Sequence, residues 1–365
     1  MRRFLTVEDV EFAVLGGSVF ACGGGGFADH GRELGRLATS IGRPELISVD
    51  ELSDDAWIAT VAAIGAPGGL TDWQMLGVDY IQAVRMLQDA LGHPLSGLMI
   101  GQNGMSSTLN AWLPGAVLRI GVLDAVGDLR AHPTGDMGSL GLAASPEPTI
   151  QTAAGGNRRR SAYLEMTVRG PTSKISPLLR AAADQAGGFI PSCRNPLPNS
   201  VVRERAVCGG ISRALELGQA IAAAERRGAT AVIDAICRAT GGSVIGSGRV
   251  LSQDIVYTSE AFDRGSIIVE TDQGSLRAWV LNEYMALERD GARIATYPDV
   301  ITSLSADGRP LSATTLKPGT FVHWLHVPKA LIPLAASSLD PTVYPPVERA
   351  LGIELARYAL SGTQP

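Results

Sequence analysis

The first third of the chain alternates between the patterns of buried strands and amphipathic helices. Residues 57–64 form a short apolar run closed by Gly-Ala-Pro-Gly-Gly, which predicts a buried strand. Residues 71–74 (Thr-Asp-Trp-Gln) then have the spacing of a capping box, and apolar residues recur every three or four positions from Leu76 to Leu91. This repeat predicts one buried helix face that ends at Gly92. Two further strands are predicted at 95–101 and 117–124, and two earlier helices at 6–15 and 29–40.

The pattern changes after residue 165. Helical periodicity predicts helices at 175–185 and 211–227, and from Ala229 onward the pattern is mostly that of strands. Branched residues on both sides of Asp-Gln-Gly at 272–274 predict a hairpin over 265–281. The last predicted elements are strands at 293–297, 300–304 and 320–327 and a helix at 347–360.

These elements predict an α/β protein with two domains. Strand, helix and strand in succession form a βαβ unit, so the first sheet is expected to be largely parallel. We predict an N-terminal parallel-sheet α/β domain over residues 1–168. A second domain over 169–365 would contain a helical connection and a mostly β lobe at about 229–335.

Composition excludes several classes of partner. The 365 residues carry a net charge of −5, and the one dense basic run is Arg158 to Arg160, so we expect no nucleic acid partner. Apolar runs are too short for a membrane helix, so we expect no membrane partner. Four separated cysteines without a CxxC pair favour free thiols and a cytoplasmic location. His323 and His326 would face opposite sides of a strand, so no metal site is predicted, and no cofactor can be named.

Three predicted strand ends carry glycine and polar residues. Open parallel sheets bind ligands beyond the carboxyl ends of their strands. The first strand end is the glycine-rich loop at 65–69, the second is the loop at 101–104 with Gln102 and Asn103, and the third is the segment at 124–128 with Asp124 and Asp128. His132 follows soon after. We expect these side chains to converge on one site. The alternative is that the glycines only end strands and that Asp124 caps a neighbouring element.

The run Gly23, Gly24, Gly25, Gly26 precedes a predicted helix. Backbone N–H groups of such a turn suit an anion or carboxylate, and Asp29 lies at its mouth. No Gly-Lys-Ser/Thr follows, so the run is not a P-loop. Two other interpretations stay open: tight packing of backbone against backbone, and binding of a nucleotide.

Two carboxylates of the β lobe are candidates for an acid/base pair. Asn282 and Glu283 end an apolar strand, and Asp299 lies between two predicted strands. Buried carboxylates are costly unless they are paired or used in chemistry. The alternative is a salt bridge or a turn cap.

In their order along the chain, these motifs resemble the bacterial S-methyl-thiohydantoin desulfurase-like family. The resemblance covers nearly the whole chain and rests on Cys22 to Gly26, Gly65-Ala-Pro67, Gly101-Gln-Asn103, Asp124 to Asp128 with Pro133 and Met137, Asn282-Glu283, Pro298-Asp299 and Gly319. It implies a small cyclic amide as substrate. It also implies association with hydantoinase or oxoprolinase-type enzymes, and it leaves a homo-oligomer open.

The resemblance implies hydrolysis at the sulfur-bearing carbon of a thiohydantoin. Water adds, a tetrahedral centre forms, and a thiol leaves to give a hydantoin. In this hypothesis Asp124 or Asp128 is the base and Asn103 orients the ring, while Glu283 and Asp299 contribute from the second lobe. The glycine run would hold an anionic group, with Gln102, His132, Asn282 and Asp29 as further substrate contacts. The alternatives are a non-catalytic ligand-binding or partner subunit of a hydantoinase-type system, and a nucleotide- or sugar-phosphate-binding protein.

Overall fold

The computed structural model describes residues 2–68 and 73–362, so the predicted capping box at 71–74 lies partly outside the described residues. Two sheets organise the chain. The strands of the first are β1 Arg2–Phe4, β2 Glu45–Ile47, β3 Trp57–Gly65, β4 Gly97–Ile100, β5 Gly121–Val126, β6 Thr149–Gly155, β7 Leu164–Gly170, β8 Phe189–Pro198 and β9 Val207–Cys208. The helices around it are α1 Val7–Phe20, α2 Ala28–Ile41, α3 Gly77–Leu91, α4 Trp112–Leu118, α5 Thr172–Gln185, α6 Asn199–Arg205, α7 Gly210–Glu225 and α8 Ala229–Thr240.

The first sheet is mixed, with a parallel centre. Its strand order is β1-β2-β5-β4-β3-β8-β6-β7, and β9 pairs with β5. The pairings β2–β5, β5–β4 and β4–β3 are parallel, as the βαβ pattern predicts, whereas the β1, β8, β6, β7 and β9 pairings are antiparallel. Helix α3 packs Tyr80, Ala83, Val84 and Leu87 into the core, which is the predicted apolar face.

The second sheet is antiparallel throughout its described pairings. It contains β10 Ser243–Gln253, β11 Val256–Tyr257, β12 Asp263–Thr271, β13 Gly274–Leu281, β14 Glu283–Arg289, β15 Ala292–Thr296, β16 Val300–Leu304 and β17 Phe321–Val327. The order is β15-β14-β13-β12-β10-β17-β16, with β11 beside β12, and α9 Tyr344–Leu351 and α10 Ala356–Ala359 follow. The predicted fold class, an α/β unit joined to a mostly β unit, is confirmed.

Three predicted elements are wrong in part. Residues 229–240 form α8 instead of a strand, because Val232, Ala235 and Ile236 bury one helical face. Residues 117–120 do not belong to a strand, since α4 runs to Leu118 and Arg119 adopts a left-handed φ of 57° before β5 begins. The C-terminal helix is divided, because Gly352 closes α9 in the left-handed conformation.

The boundary predicted near residue 168 stays a prediction. Strand β8 lies beyond that residue and pairs with β3 and β6 of the first sheet. The second sheet begins at β10. After residue 168 the chain therefore returns to the first sheet through β8 before it enters the second sheet at β10.

Helices α1 and α7 pack through glycines. A Cβ added at Gly218 of α7 would overlap the carbonyl oxygen of Phe12, and one added at Gly16 of α1 would overlap that of Ala214. The contact is therefore backbone against backbone, and no flexible side chain is available to move aside.

Replacing Gly218 by Ala is expected to lower the free energy of unfolding by about 1–3 kcal/mol, because the added methyl forces α1 and α7 apart. Urea unfolding measures the change. Gln219→Ala is the matched control: Gln219 is the next residue of α7 and is exposed, so its effect should stay within about 0.5 kcal/mol. Equal effects of the two changes would contradict the close helix contact.

Candidate functional site

One residue, Asn282, turns the chain between β13 and β14. Leu281 pairs directly with Glu283 across this turn, and Asn282 adopts a left-handed φ of 59°. Asparagine tolerates that conformation better than most residues. The turn is fixed by Asp263, whose carbonyl accepts from the Asn282 N–H at 2.8 Å and whose N–H donates to Asn282 Oδ1 at 3.0 Å. The next residue, Glu283, is thereby held at the tip of the hairpin.

The glycine run lies against this hairpin tip. The Tyr284 N–H donates to the carbonyl of Cys22 at 2.8 Å, which joins the two lobes through their backbones. A Cβ at Gly23 would overlap the Tyr284 ring, and one at Gly24 would overlap the Glu283 carboxyl group. Left-handed φ angles at Gly23 (86°), Gly25 (73°) and Gly26 (86°) also favour glycine. Packing of backbone against backbone, which the sequence left open, is present at Gly25, where an added Cβ would overlap Gly104 Cα, whereas Gly23 and Gly24 lie against side chains.

A small cavity of about 80 Å³ lies between the two lobes. Its wall combines strand ends and loops of the first lobe with the hairpin tip of the second. Seven of the residues singled out from the sequence line it, namely Gly24, Gly25, Gly26, Gln102, His132, Asn282 and Glu283. Chain segments far apart in sequence therefore meet at one hollow.

Four residues of the cavity wall have buried polar atoms without a hydrogen-bond partner. They are Oε2 of Glu283, both ring nitrogens of His132, Oγ1 of Thr134 and Nε of Arg194. Buried polar groups in proteins are nearly always paired, so such a cluster needs an explanation. A bound polar molecule in the cavity would supply the missing partners.

Burial controls the protonation of the site. It raises the pKa of Glu283 to about 8, although the nearby charges of Arg130 and Arg180 oppose the shift. Burial also lowers the pKa of His132 to about 3, and the charge of Arg194 adds to this effect. At neutral pH the cavity therefore holds a protonated carboxyl group and a neutral imidazole.

Two arginines give the cavity its positive charge. Burial lowers the pKa of Arg180 to about 10, which still leaves the guanidinium charged at neutral pH. Burial lowers the pKa of Arg194 as well, against the opposing charge of Asp136. With Glu283 protonated, both charges are available to a ligand.

Gln102 supports the loop that contains His132. Its Oε1 accepts from the His132 N–H at 3.0 Å, and both residues line the cavity. Gln102 thus fixes the backbone of His132, while the ring packs closely on Gly138, which leaves no room for a side chain there. Gln102 acts here as a positioning residue.

The structure assigns Asp124 a capping contact away from the described cavity wall. It lies within β5, so the strand continues two residues past the expected end. The N–H groups of Ile211 and Ser212 donate to its Oδ1 at 3.0 Å each, and Ser212 Oγ donates to Oδ2 at 2.6 Å. The carboxylate thus caps the N-terminus of α7, which is the capping interpretation left open above.

Asp128 and Asn103 lie behind the cavity wall. The Asp128 N–H donates to the carbonyl of Gly101, and Tyr297 Oη donates to Asp128 Oδ2 at 2.6 Å. Burial raises the pKa of Asp128 to about 6. The Asn103 amide donates to the carbonyls of Leu129 and Gly210, which occupies the group expected to orient a ligand.

Asp29 and Asp299 are engaged elsewhere. The Asp29 side chain is 99% exposed and pairs with Arg32 on the outer surface. Asp299 accepts from the Lys329 N–H at 2.7 Å and lies 3.0 Å from His326 Nε2. These contacts match the turn cap and salt bridge named as alternatives, so Asp299 forms no pair with Glu283 in the described structure.

Sequence reasoning missed Arg180 and Arg194. Arg194 is a lone charge in the otherwise uncharged strand β8, and a charge within a buried strand is a signal that was available. Arg180 lies four residues after Ser176 on α5, and both line the cavity.

In the described parts of the chain, no group of three or more histidine, cysteine or acidic side chains is placed to hold a metal ion. Within residues 2–68 and 73–362, no helix is both long and apolar enough to cross a membrane.

Comparisons with known proteins agree with this architecture. A family model described as "S-Me-THD-like, N-terminal domain" matches residues 8–161, and one described as "S-Me-THD-like, C-terminal domain" matches residues 171–332. The fold is similar to the X-ray crystal structure of a protein from Chromobacterium violaceum, with a TM-score of 0.73, 22% sequence identity and 96% of each chain covered. No curated protein matches the chain.

The raised pKa of Glu283 predicts a pH-dependent effect of Glu283→Gln on stability. Below about pH 4.5 the folded and unfolded chains both hold the proton, and between about pH 4.5 and 8 only the unfolded chain releases it. The stabilising contribution of Glu283 is therefore lost as pH rises through this range. The melting temperature of Glu283→Gln should exceed that of the wild type near pH 8, with a smaller excess near pH 5.5. A difference independent of pH would contradict the raised pKa, and exposed Glu270→Gln controls for the lost charge.

Contact between Gly24 and Glu283 predicts coupling between two substitutions. Gly24→Ala should lower the free energy of unfolding by about 1–3 kcal/mol, because the new methyl overlaps the Glu283 carboxyl group. In a Glu283→Ala background the same change should cost less, with a coupling free energy of about 0.5–3 kcal/mol. Urea unfolding of the four proteins measures it. Glu288→Ala on the same strand replaces Glu283→Ala in the control cycle, and additive effects in both cycles would rule out the contact.

Proposed function

Because the chain belongs to the S-Me-THD-like family, we propose that it hydrolyses a thiohydantoin or a related five-membered cyclic amide. The reaction releases a thiol or sulfide and leaves a hydantoin. One observation carries the proposal: unpaired buried polar atoms of Glu283, His132, Thr134 and Arg194 line a single small cavity. A ring with alternating carbonyl and N–H groups has donors and acceptors for such atoms.

The size of the cavity favours a single small ring. A cavity needs at least about 10–15 Å³ to hold one water molecule, so about 80 Å³ accommodates roughly five to eight heavy atoms, about the size of one five-membered ring. A nucleotide is much larger. Its phosphates would also need the glycine turn, where Gly23 and Gly24 are occupied by the hairpin tip.

Glu283 is the proton donor in this proposal. Water oxygen bonds to the sulfur-bearing carbon, the electron pair of the C=N bond moves to the ring nitrogen beside that carbon, and this nitrogen takes one of the two water protons. The C–S bond then breaks, and its electron pair leaves with sulfur, which takes the proton of Glu283. The resulting carboxylate recovers a proton from the added oxygen as the carbonyl forms, so that water and substrate give thiol and hydantoin. A pKa near the working pH suits a group that gives and regains a proton.

The other residues orient water and stabilise charge. Neutral His132 can accept a hydrogen bond from the attacking water, and its low pKa keeps it from becoming charged. Arg180 and Arg194 are cations in a mostly buried site, where they can stabilise negative charge on the ring nitrogen during addition. Their charges are weakly screened by water, because Arg194 is buried and Arg180 is half-buried.

Substitution of Glu283 by Gln tests the proposal. We expect kcat for thiol release from an S-methyl-thiohydantoin to fall by about 10²–10⁴-fold, since glutamine cannot transfer the proton. Wild-type kcat should fall as pH rises above about 8, where Glu283 loses its proton, and this pH dependence should be absent from the residual activity of the variant.

Glu270→Gln is the matched control, because Glu270 is exposed on β12 of the same lobe, and its activity should equal that of the wild type. Equal rates for Glu283→Gln and the wild type would exclude the proposed proton donor. A wild-type protein that binds the ring without releasing thiol would instead favour a ligand-binding function.

A further inference from the structure

A second, larger hollow adjoins the cavity. Its volume is about 740 Å³, within the range of sites that bind drug-sized molecules. Helix α5, the segment 258–262 and helix α9 form its walls, and we call it the outer groove. The cavity and the outer groove have Thr134, Gly135, Ser176 and Arg180 in common, so the two hollows meet along these residues.

Arg180 stands between the two hollows. Its Nη1 donates to the carbonyl of Ala261 at 2.7 Å, and its Nη2 donates to the carbonyl of Pro133 at 2.6 Å. The guanidinium carbon also lies 3.9 Å from the centre of the Phe262 ring. One guanidinium therefore links the two lobes and presents its charge to the cavity, while the Phe262 ring beneath it lines the outer groove.

The segment that holds Arg180 has a specific backbone conformation. Ala261 adopts a φ of 61°, which is uncommon for a residue other than glycine or asparagine. Hydrogen bonds from the Ala261 N–H to the Thr258 carbonyl, at 3.0 Å, and from the Thr258 N–H to the Phe262 carbonyl, at 2.8 Å, hold it there. The outer groove therefore has a structured wall at the place where it meets the cavity.

Charge in the outer groove is balanced. Three arginines and three carboxylates line it, namely Arg180, Arg264, Arg349, Asp136, Asp184 and Glu260. Between them lie apolar surfaces, including those of Phe262, Pro177 and Leu281. With no excess of either sign, the lining favours an uncharged group with apolar area.

We propose that the outer groove binds the amino-acid side chain of the substrate, and that it favours an uncharged aromatic or long aliphatic one. A thiohydantoin formed from an amino acid carries that residue's side chain on ring carbon 5. The cavity has room for the ring alone, so the side chain must lie outside it, and the outer groove is the adjoining space. This inference rests on the proposed function and adds the class of substrate to it.

Binding of reaction products tests the inference without requiring turnover. Isothermal titration calorimetry compares hydantoin with 5-benzylhydantoin on the full chain. We expect the wild type to bind 5-benzylhydantoin at least about tenfold more tightly, as burial of one aromatic side chain predicts. Ser259→Trp, at an exposed residue that lines the outer groove and not the cavity, should reduce this ratio to less than about threefold with hydantoin affinity unchanged.

Ser252→Trp is the matched control, because Ser252 is an equally exposed serine of the same lobe and does not line the outer groove. It should leave both affinities unchanged. Ala350→Trp, on α9 at the opposite wall, gives a second obstruction if Ser259→Trp does not fold. Equal wild-type affinities for the two hydantoins, or an unchanged ratio in both obstructed variants, would overturn the inference alone. Failure of both hydantoins to bind the folded wild type would overturn the proposed function, and the inference with it.

Discussion

The site depends on the close approach of a hairpin tip to a turn without side chains. Gly23 and Gly24 leave the space that the Tyr284 ring and the Glu283 carboxyl group occupy, and the Tyr284 N–H then reaches the carbonyl of Cys22. Side chains on this turn would separate the lobes and admit water. Since burial is the main cause of the raised pKa of Glu283, its protonation at neutral pH follows from the absence of two Cβ atoms.

Arg130 stabilises the same junction from inside. Its guanidinium donates to the carbonyls of Ala131, Tyr284 and Asp299, which belong to both lobes, and the residue is fully buried. Its charge favours the ionised form of Glu283, yet burial outweighs it. An arginine committed to three carbonyls can thus hold the site together without forming an ion pair that would keep the acid deprotonated.

The sequence indicated the elements better than the roles of their acids. Periodicity located α3 and the strands β12, β13, β15, β16 and β17, although not β10 or β14, and the strand-end rule led to Gln102 and His132, which line the cavity. The strand-end rule also suggested Asp124, whose side chain points from β5 toward α7. Successive side chains of a strand point to opposite faces, and because the strand was predicted to end at residue 124, Asp124 was expected at the edge of the sheet and not on one of its faces. Arg180 was missed because an arginine on a helix has no local pattern that separates a ligand-binding charge from an exposed one, whereas Arg194 could have been noticed as the single charge of β8.

In the proposed function, the cavity carries the chemistry and the outer groove recognises the side chain of the substrate. Glu283 owes its pKa to burial, to Arg130, Arg180 and Asp263, and to the Gly25 backbone, and among these only Arg180 lines the outer groove. Changes elsewhere in the outer groove can therefore alter which side chain is held while the acid keeps its environment. Arg180 is the exception, because its hydrogen bonds to Pro133 and Ala261 fix the wall that both hollows use. In the proposed reaction, a molecule in the outer groove contacts the same guanidinium that faces the ring, so binding of the side chain and stabilisation of the transition state would meet at one residue.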